Sequence, residues 1–317
     1  MPALVNRLLD GPPLNDDLDL CLGLFSFLGE DHLPRPEAIF TQLRRLEGPD
    51  SGVEILEVDQ PVIGRGSMQD VHWVKSDNLQ LSWIYLPDAA DRDIEALTEQ
   101  AYDRLLRLVH KSEYPELVRF WNFLPQINHG SGDQELYKRF CSGRLNAFTS
   151  YAIGSDKFPA ASALGHYQNG LTIALLSSHK PAEHIHNPRQ VNAYQYPPNY
   201  GASSPSFARA SRLQVGGSSL YFVSGTASIV GHESVHIGEL EPQVRTTVDN
   251  IKCLLDLGDF DQRDINLLRV YLRNVSDQPV CARLLDSLFP GVPKLYLHAD
   301  VCRAELLVEI ECLCSAD

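Results

Sequence analysis

The chain has 317 residues, of which 44% are hydrophobic and 21% are charged, so it is expected to fold nearly throughout, without long disordered tracts. Its length exceeds the ~100–200 residues usual for one domain, which favours two modules or one large domain. The excess of 41 acidic over 27 basic residues gives a net charge of −14, which argues against nucleic acid and anionic membrane surfaces as partners but leaves an anionic small molecule open.

The cysteines and the hydropathy of the chain indicate a cytoplasmic protein with no membrane segment. The N-terminal segment meets Gly11-Pro-Pro early and contains no uninterrupted secretory stretch. No apolar run approaches the ~20 residues that span a bilayer. The cysteines form no Cys-x-x-Cys pair and no zinc-finger spacing, which fits reduced thiols; they stand at positions 21, 141, 253, 281, 302, 312 and 314.

The first half of the chain predicts strands followed by helices. Short apolar runs over 58–87, broken by glycine and by Ser-Asp-Asn, predict a hairpin or meander that ends with a strand over 79–86. A strand over 117–125 and a helix over 135–145 are predicted further on. Between them lies an amphipathic helix, because one helical face collects Ile94, Leu97, Ala101, Leu105 and Leu108.

The second half repeats this order of elements, which indicates a duplicated module. The sequence identity between the halves is weak, so the duplication depends on element order. We expect a module over 1–150, with an N-terminal extension, and a module over 151–317. The predicted elements of the second half are strands over 220–225, 265–272, 294–297 and 305–311 and helices over 239–255 and 280–289.

The region 153–217 between the repeated elements is rich in proline, glycine, tyrosine and serine. Long ordered loops of this composition usually carry function, so substrate contacts are predicted here. A plain linker between the modules is the alternative.

The segment from His232 to His236 matches the His-Glu-x-x-His pattern of zinc metalloproteases, which requires a helix. A predicted strand runs into Gly231 immediately before it, and no convincing third ligand follows. His184 and His186 are interpreted as a solvated loop pair. No metal site is therefore predicted.

Several segments in one order resemble a known superfamily and, within it, a known family. The segments Ser224-Gly-Thr-Ala-Ser-Ile-Val-Gly and Leu307-Val-Glu-Ile-Glu, with the intervening helix that contains Gln243 and Arg245, resemble the RidA/YjgF superfamily. The resemblance to the chorismatase family spans about residues 55–312 and is carried by Arg119-Phe-Trp-Asn-Phe-Leu-Pro, Tyr137-Lys-Arg-Phe-Cys-Ser-Gly-Arg, Pro188-Arg-Gln, Ser204-Pro-Ser-Phe-Ala-Arg and Asp300-Val-Cys-Arg-Ala-Glu.

The resemblance implies an α+β fold of two fused RidA/YjgF-like modules, with mixed sheets, helices packed on one face and a pseudo-trimer-like arrangement. It implies removal of the enolpyruvyl group of chorismate without a cofactor, by a hydrolytic or an intramolecular route. Pyruvate is released together with 3-hydroxybenzoate, with 4-hydroxybenzoate as a possible second product, or with a dihydroxycyclohexadiene acid. Chorismate is the expected partner, and the internal duplication predicts a monomer.

The resemblance assigns the catalytic glutamate to Glu309 and a cysteine typical of 3-hydroxybenzoate-forming members to Cys302. It places a product-determining position at Ala227, where some aromatic-forming members carry glycine. Cleavage begins with protonation of the terminal methylene, for which Glu309 would be the acid and then the stabilising carboxylate. From the residues alone, the favoured interpretation of Glu309 is the solvent-facing residue of an edge strand, alternating with Val308 and Ile310.

Because chorismate carries two carboxylates, the cleft needs at least two cationic anchors, and the planar guanidinium of arginine suits a carboxylate best. Arg144 and Arg209 are the predicted anchors, with Arg139 and Arg189 as weaker candidates. The hydroxyl groups of Tyr194 and Tyr200 are expected to add donors. The predicted substrate-binding residues are therefore Arg144, Arg209, Tyr194, Tyr200 and Ala227.

Two other functional classes stay open on the sequence. One is a RidA-like imine or enamine hydrolase, against which the long tyrosine-rich region argues. The other is a ligand-binding module without activity. Products formed from chorismate would discriminate between these classes.

Overall fold

The computed structural model describes residues 2–11, 13, 18–28, 38–48 and 52–317. Within these residues the chain forms a six-stranded sheet, a ten-stranded sheet and a two-stranded hairpin, together with four α-helices. The helices are α1 (Ile94–His110), α2 (Leu136–Ser150), α3 (Leu240–Leu257) and α4 (Gln278–Leu288). The strands are β1 (Leu4–Leu9), β2 (Cys21–Leu28), β3 (Ile39–Arg45), β4 (Val53–Val58), β5 (Gly64–Met68), β6 (Val71–Lys75), β7 (Leu79–Leu86), β8 (Glu116–Pro125), β9 (Ala160–His166), β10 (Leu171–Ser178), β11 (Glu183–Ile185), β12 (Ala210–Val215), β13 (Ser218–Ala227), β14 (Ile229–Val230), β15 (Glu233–Ser234), β16 (Ile265–Leu272), β17 (Lys294–His298) and β18 (Val308–Ala316).

The six-stranded sheet has the strand order β5-β6-β7-β10-β8-β9 and is mixed, because β8 and β9 pair in parallel. Helices α1 and α2 pack on its outer face. The first turn of α1 is capped by Asp93, whose side chain accepts hydrogen bonds from the backbone amides of Glu95 and Ala96. The predicted apolar face of α1 is the face that is buried.

The ten-stranded sheet has the order β1-β4-β2-β3-β17-β16-β18-β13-β12-β11. It is also mixed, with parallel pairs β2–β3 and β16–β17. Helices α3 and α4 pack on its outer face. The N-terminal strands join the rest of the sheet between β3 and β17, through two residue pairs, Leu297 with Arg45 and His298 with Arg44.

Side chains alternate between two cores along the strands of the larger sheet. On β13, Leu220 and Phe222 enter the core between the two sheets, whereas Tyr221 and Val223 enter the core under α3 and α4. The same period of two governs β18, where Leu313 belongs to the first core and Ile310 to the second. Residues at odd positions of β18 therefore point into the space between the sheets.

The structure confirms the α+β class, the mixed sheets and the helices on one face of each sheet, while the pseudo-trimer-like arrangement stays a prediction. All four predicted helices are present. The last strand begins at 308 and continues to 316, later than the predicted 305–311. None of the helices in the described parts of the chain has the length and apolar composition to cross a bilayer.

The prediction of a long loop region over 153–217 is wrong in part. Strands β9 and β10 lie inside it and pair with β8, and β10 also pairs with β7. Every residue of β10 is buried, since one of its faces is covered by helices and the other by the second sheet. The strand therefore lacks the apolar–polar alternation that marks a half-exposed strand.

The two predicted modules do not coincide with the two sheets. The boundary at residue 150 stays a prediction as a division into folding units, but β9 and β10, beyond it, complete the sheet of the first half. The predicted N-terminal extension contributes β1 to β4, and these strands belong to the sheet of the second half. The chain thus enters the second sheet before it forms the first.

Candidate active site

A cavity of about 370 Å³ lies where the two sheets and α2 meet, and its size is that of a small-molecule site. It is bounded by β13, β18, the start of α2, the segment 196–209 and the loop that precedes β18. A smaller inner pocket shares part of its lining. The residues common to both are Tyr137, Phe207, Gly225, Cys302 and Glu309.

Glu309 lies on the wall of both cavities and is only 4% exposed. Its strand β18 is flanked by β16 and β13, so Glu309 pairs with Tyr271 on one side and Ala227 on the other. Burial raises the pKa of Glu309 to about 8, with Glu311 acting in the same direction and Arg119 and Arg209 opposing. The alternative of a solvent-facing residue on an edge strand is therefore wrong.

Glu311, two residues further along the same face of β18, has the opposite environment. Arg119 Nη2 donates to its Oε2 at 2.7 Å, and Arg269 Nη1 and Trp121 Nε1 donate to its Oε1 at 3.0 Å. Ser162 Oγ donates a further hydrogen bond. Burial raises the pKa of Glu311, but Arg119 and Arg269 outweigh burial, and the net pKa lies below the ordinary value.

Cys302 borders both cavities on the loop before β18. Burial raises the pKa of its thiol to about 12, with Glu309 acting in the same direction and Arg303 opposing. The thiol is therefore neutral at physiological pH and can donate a hydrogen bond or a proton, but it is not a thiolate nucleophile.

Arg144 reaches the inner pocket from α2 and is buried. Its guanidinium stacks on Phe140, with 5.2 Å from Cζ to the ring centroid, and its Nη2 lies 3.9 Å from Cys141 Sγ. Among the described residues no carboxylate pairs with Arg144, and its buried Nε has no hydrogen-bond partner. A buried, unpaired guanidinium is costly unless an anion enters the pocket.

Two further arginines alternate with aromatic rings along one wall of the cavity. Arg209 stands between Phe207 and Tyr196, at 5.2 and 5.7 Å from the ring centroids, and its Nη2 donates to Tyr196 Oη at 2.6 Å. Arg303 stands over Tyr200 at 4.0 Å and over Tyr196 at 5.2 Å. Such stacking fixes both guanidinium groups in place without neutralising their charge.

The structure brings most of the predicted site residues together. Glu309, Cys302, Arg209, Tyr200 and Ala227 all line the main cavity. Arg144, the other predicted anchor, lines the inner pocket.

Tyr194 is the exception among the predicted substrate-binding residues. It does not belong to the lining of either cavity, and its hydroxyl lies 3.0 Å from Asn192 Nδ2 and 3.4 Å from His186 Nε2. Tyr196 lines the cavity instead. The weaker candidate anchors Arg139 and Arg189 pair with acidic residues outside both cavities.

Sequence reasoning missed several residues of the two cavities besides Tyr196. Tyr137, Phe207 and Arg303 stand inside segments that carry the resemblance, so their position beside predicted residues was a usable signal. Ser162 gave no such signal, because it lies in a strand that was interpreted as a loop.

The His232–His236 segment is not helical. Residues 229–234 form the hairpin β14–β15, as the glycine at 231 indicated, and the backbone carbonyl of His232 accepts a hydrogen bond from Arg303 Nη1 at 2.9 Å. Within the described residues, no group of three or more His, Cys, Asp or Glu side chains is arranged to hold a metal ion. The hairpin instead supports Arg303 at the cavity.

Comparisons with known proteins agree with this geometry. Residues 54–177 match the family model described as "Chorismatase FkbO/Hyg5-like, N-terminal". The chain is 38% identical over 230 residues to a 3-hydroxybenzoate synthase from Streptomyces hygroscopicus, covering 68% of each chain. It is 32% identical over 260 residues to a chorismatase from Streptomyces rapamycinicus, covering 78% of this chain and 77% of the relative. The chain belongs to the chorismatase family.

The similarity to a chorismatase also holds for the three-dimensional structure over nearly the whole chain. A crystal structure of a chorismatase superposes with a TM-score of 0.86 at 27% sequence identity, covering 99% of this chain and 98% of the solved one. The element order that positions Glu309 and the cavity is thus shared with a solved chorismatase.

Proposed function

We propose that this chorismatase-family protein is an enzyme that converts chorismate to pyruvate and 3-hydroxybenzoate, with Glu309 as the general acid. One observation carries the proposal: a buried carboxyl group, whose pKa is raised by burial to about 8, lies beside arginines that pair with no carboxylate among the described residues. The names of the relatives, 3-hydroxybenzoate synthase and chorismatase, support the substrate and the product.

The first step transfers the proton of Glu309 to the terminal methylene carbon of the enolpyruvyl group. The carbon–carbon double bond supplies the electron pair, the methylene becomes a methyl group, and an oxocarbenium ion forms at the ether carbon. The carboxylate left on Glu309 stabilises this cation electrostatically. A carboxyl group with a pKa of about 8 suits this step, because it is protonated at neutral pH and still acidic enough to transfer the proton.

The two carboxylates of chorismate are held by the arginines of the two cavities. Arg144 serves the inner pocket, and Arg209 and Arg303 serve the outer wall, where their stacked guanidinium groups form charge-assisted hydrogen bonds with a carboxylate. Substrate binding neutralises Arg209, one of the two charges that oppose proton retention on Glu309. The bound dianion therefore strengthens the hold of Glu309 on its proton before transfer.

Aromatisation completes the reaction. Water adds to the oxocarbenium carbon, and the ether carbon–oxygen bond breaks as one proton of that water passes to the ring oxygen, which releases pyruvate. The second proton joins the departing ring hydroxyl group, which leaves as water, and the ring loses one hydrogen. The water consumed is thus returned, and the products contain the atoms of chorismate. The carboxylate of Glu309 accepts the ring proton, which restores the acid. The neutral thiol of Cys302 lies beside Glu309 and assists departure of the hydroxyl group by donating a hydrogen bond.

The test is incubation of the purified protein with chorismate, with pyruvate measured enzymatically and the ring products separated by chromatography. We expect pyruvate and 3-hydroxybenzoate in equal amounts. Glu309→Gln keeps the size of the side chain and removes its acidity, so pyruvate release should fall at least ~1000-fold. Glu57→Gln, an equivalent change outside the cavity, is the matched control. Enzyme-independent pyruvate release, or retention of most activity in Glu309→Gln, contradicts the proposal.

The cysteines bear on the cellular setting. Six of them form no disulfide bond among the described residues, which supports a reducing compartment such as the cytoplasm; they are Cys141, Cys253, Cys281, Cys302, Cys312 and Cys314. A monomer follows from the proposed internal duplication, and sedimentation analysis measures it directly.

A further inference from the structure

Four charged side chains form a buried ion network beside the proposed acid: Glu54, Arg269, Glu311 and Arg119. Arg269 binds Glu54 through its Nε and Nη2 atoms, at 2.6 and 2.8 Å, and binds Glu311 through Nη1 at 3.0 Å. Arg119 binds the other oxygen of Glu311 at 2.7 Å. The network thus contains two positive and two negative charges, and all four side chains are buried.

Glu309 lies next to this network but outside it. No side chain or backbone amide of the described residues donates a hydrogen bond to its carboxyl group, in contrast to the four donors of Glu311. The two residues share one face of β18, which places them about 7 Å apart along the strand. Because the network is already neutral, it does not compensate the negative charge that ionisation of Glu309 would add beside it.

We propose that Glu311 is a positioning residue for the reaction: its permanently ionised carboxylate, fixed by Arg119, Arg269, Trp121 and Ser162, keeps the Glu309 carboxyl group protonated and competent as an acid. This inference rests on the proposed function and adds a second carboxylate to it. Neighbouring carboxyl groups with opposite environments commonly divide the acid and charged roles between them. Here the division follows from which of the two receives hydrogen bonds.

The other charged and titratable groups around Glu309 modulate this effect without replacing it. Arg119 and Arg209 lower its proton affinity and Glu311 raises it. The remaining groups on the elements packed against the pair are Glu54, Arg144, Tyr137, Tyr271, Arg269 and Cys302. Among these groups, Glu311 is the carboxylate that lies on the same strand as Glu309, two residues away.

The experiment is the pH profile of kcat/KM for pyruvate release. The wild-type profile should fall above pH ~8, where Glu309 ionises. Two like charges ~7 Å apart at an effective dielectric constant of ~20 shift a titration by about one to two pH units. In Glu311→Gln the alkaline limb should therefore move to lower pH by that amount. Glu311→Asp retains the charge and should leave the limb within about half a unit of the wild type.

Glu54→Gln is the control for a purely structural role. It disturbs the same network and should lower the melting temperature, but it lies beyond Arg269 and should leave the limb in place. A folded Glu311→Gln protein whose limb stays near pH 8 overturns the proposal. If this variant does not fold, Arg269→Gln/Glu311→Gln, in which Arg119 and Glu54 balance, carries the same expectation.

Infrared spectroscopy separates this inference from the proposed reaction. The protonated carboxyl band that disappears in Glu309→Gln reports the proton on Glu309 without any substrate. We expect the band in the wild type at pH 7 and its loss at lower pH in Glu311→Gln. A protein that shows these bands but releases no pyruvate rejects the proposed function alone, whereas a wild-type band already absent at pH 6 rejects the inference.

Discussion

Gly225 lies directly against the carboxyl group of Glu309. A Cβ atom at residue 225 would overlap Glu309 Oε1 and would stand 3.0 Å from Ser162 Oγ. The space that a methyl group would fill is therefore occupied by the carboxyl group of the proposed acid, and glycine is required there for a steric reason and not for a special backbone angle.

Gly225→Ala should therefore displace the acid while the fold persists, because the atom that must move is the far end of a flexible side chain. A displacement of about 1 Å of a catalytic group costs roughly 100-fold in rate. Measured kcat for pyruvate release should fall by that order with an unchanged circular dichroism spectrum. Gly11→Ala is the control, since no described atom lies within 4 Å of a Cβ there. Unchanged kcat in Gly225→Ala would contradict this expectation, because it would show that the added methyl group does not displace the Glu309 carboxyl group from its working position.

Glu309→Gln should be more stable than the wild type at alkaline pH. The folded-state pKa of Glu309, about 8, lies above its ordinary value of 4.5, so the folded protein binds more protons than the unfolded chain between these values. The wild type therefore loses stability as pH rises from about 4.5 to 8, by an amount on the order of 5 kcal/mol. Denaturant unfolding at pH 5 and pH 9 measures it. A stability difference between the two proteins that does not change with pH would contradict the assigned titration.

Cys302→Ala should shift the products towards the hydrated diene acid while pyruvate release continues. The thiol is neutral and adjoins Glu309, so its loss affects aromatisation and not the first protonation. Chromatography of the ring products gives the ratio directly. Cys253→Ala, on the outer helix α3, should leave the ratio unchanged. An unaltered ratio in Cys302→Ala would remove the residue from the product-determining step.

Arg303→Gln should raise KM for chorismate by about tenfold or more, because a charge-assisted hydrogen bond contributes roughly 1.5–3 kcal/mol. Its planar group is held over Tyr200, so Arg303→Lys should not restore the wild-type KM. Arg283→Gln, an exposed arginine on α4, tests for an effect of net charge. Equal KM values for Arg303→Gln and the wild type would place the carboxylate of the substrate elsewhere.

Local patterns were sufficient to predict the four helices, the meander β5–β7 and the strands β8, β13, β16, β17 and β18, because amphipathic periodicity is a property of neighbouring residues. The strands β1–β4 and β9–β12 were not predicted. The apolar stripe of α1 is the clearest case. Strand β10 escaped prediction since it is buried on both faces and has no such period. Its neighbours in the sheet come from distant segments, such as Leu79, which pairs with Ser178 at a separation of 99 positions, and no local pattern records this.

The candidate site divides in the same way. The resemblance supplied Glu309, Cys302 and Ala227, which stand in contiguous motifs. The anchors Arg144 and Arg209 were chosen because a substrate with two carboxylates needs cationic partners. The partner that prepares Glu309 was not predicted as such, because the role of Glu311 arises from Arg119, which lies 192 positions away in the chain. Tyr194 and Tyr196 are two residues apart in an irregular segment, where no regular period predicts the direction of a side chain. Only the folded backbone determines that Tyr196, and not Tyr194, lines the cavity.

The route of the N-terminal strands limits how the enzyme can be shortened. Glu54 on β4 neutralises Arg269, which lies 215 positions later, and Asn6 on β1 holds Glu54 in place. A fragment that begins at β5 would keep every residue of the cavity but would lose one of the two carboxylates that bind Arg269, so the buried network would carry an excess positive charge, at a penalty of about 3–5 kcal/mol. The first four strands contribute no residue to the cavity, but the rest of the protein depends on them for its stability.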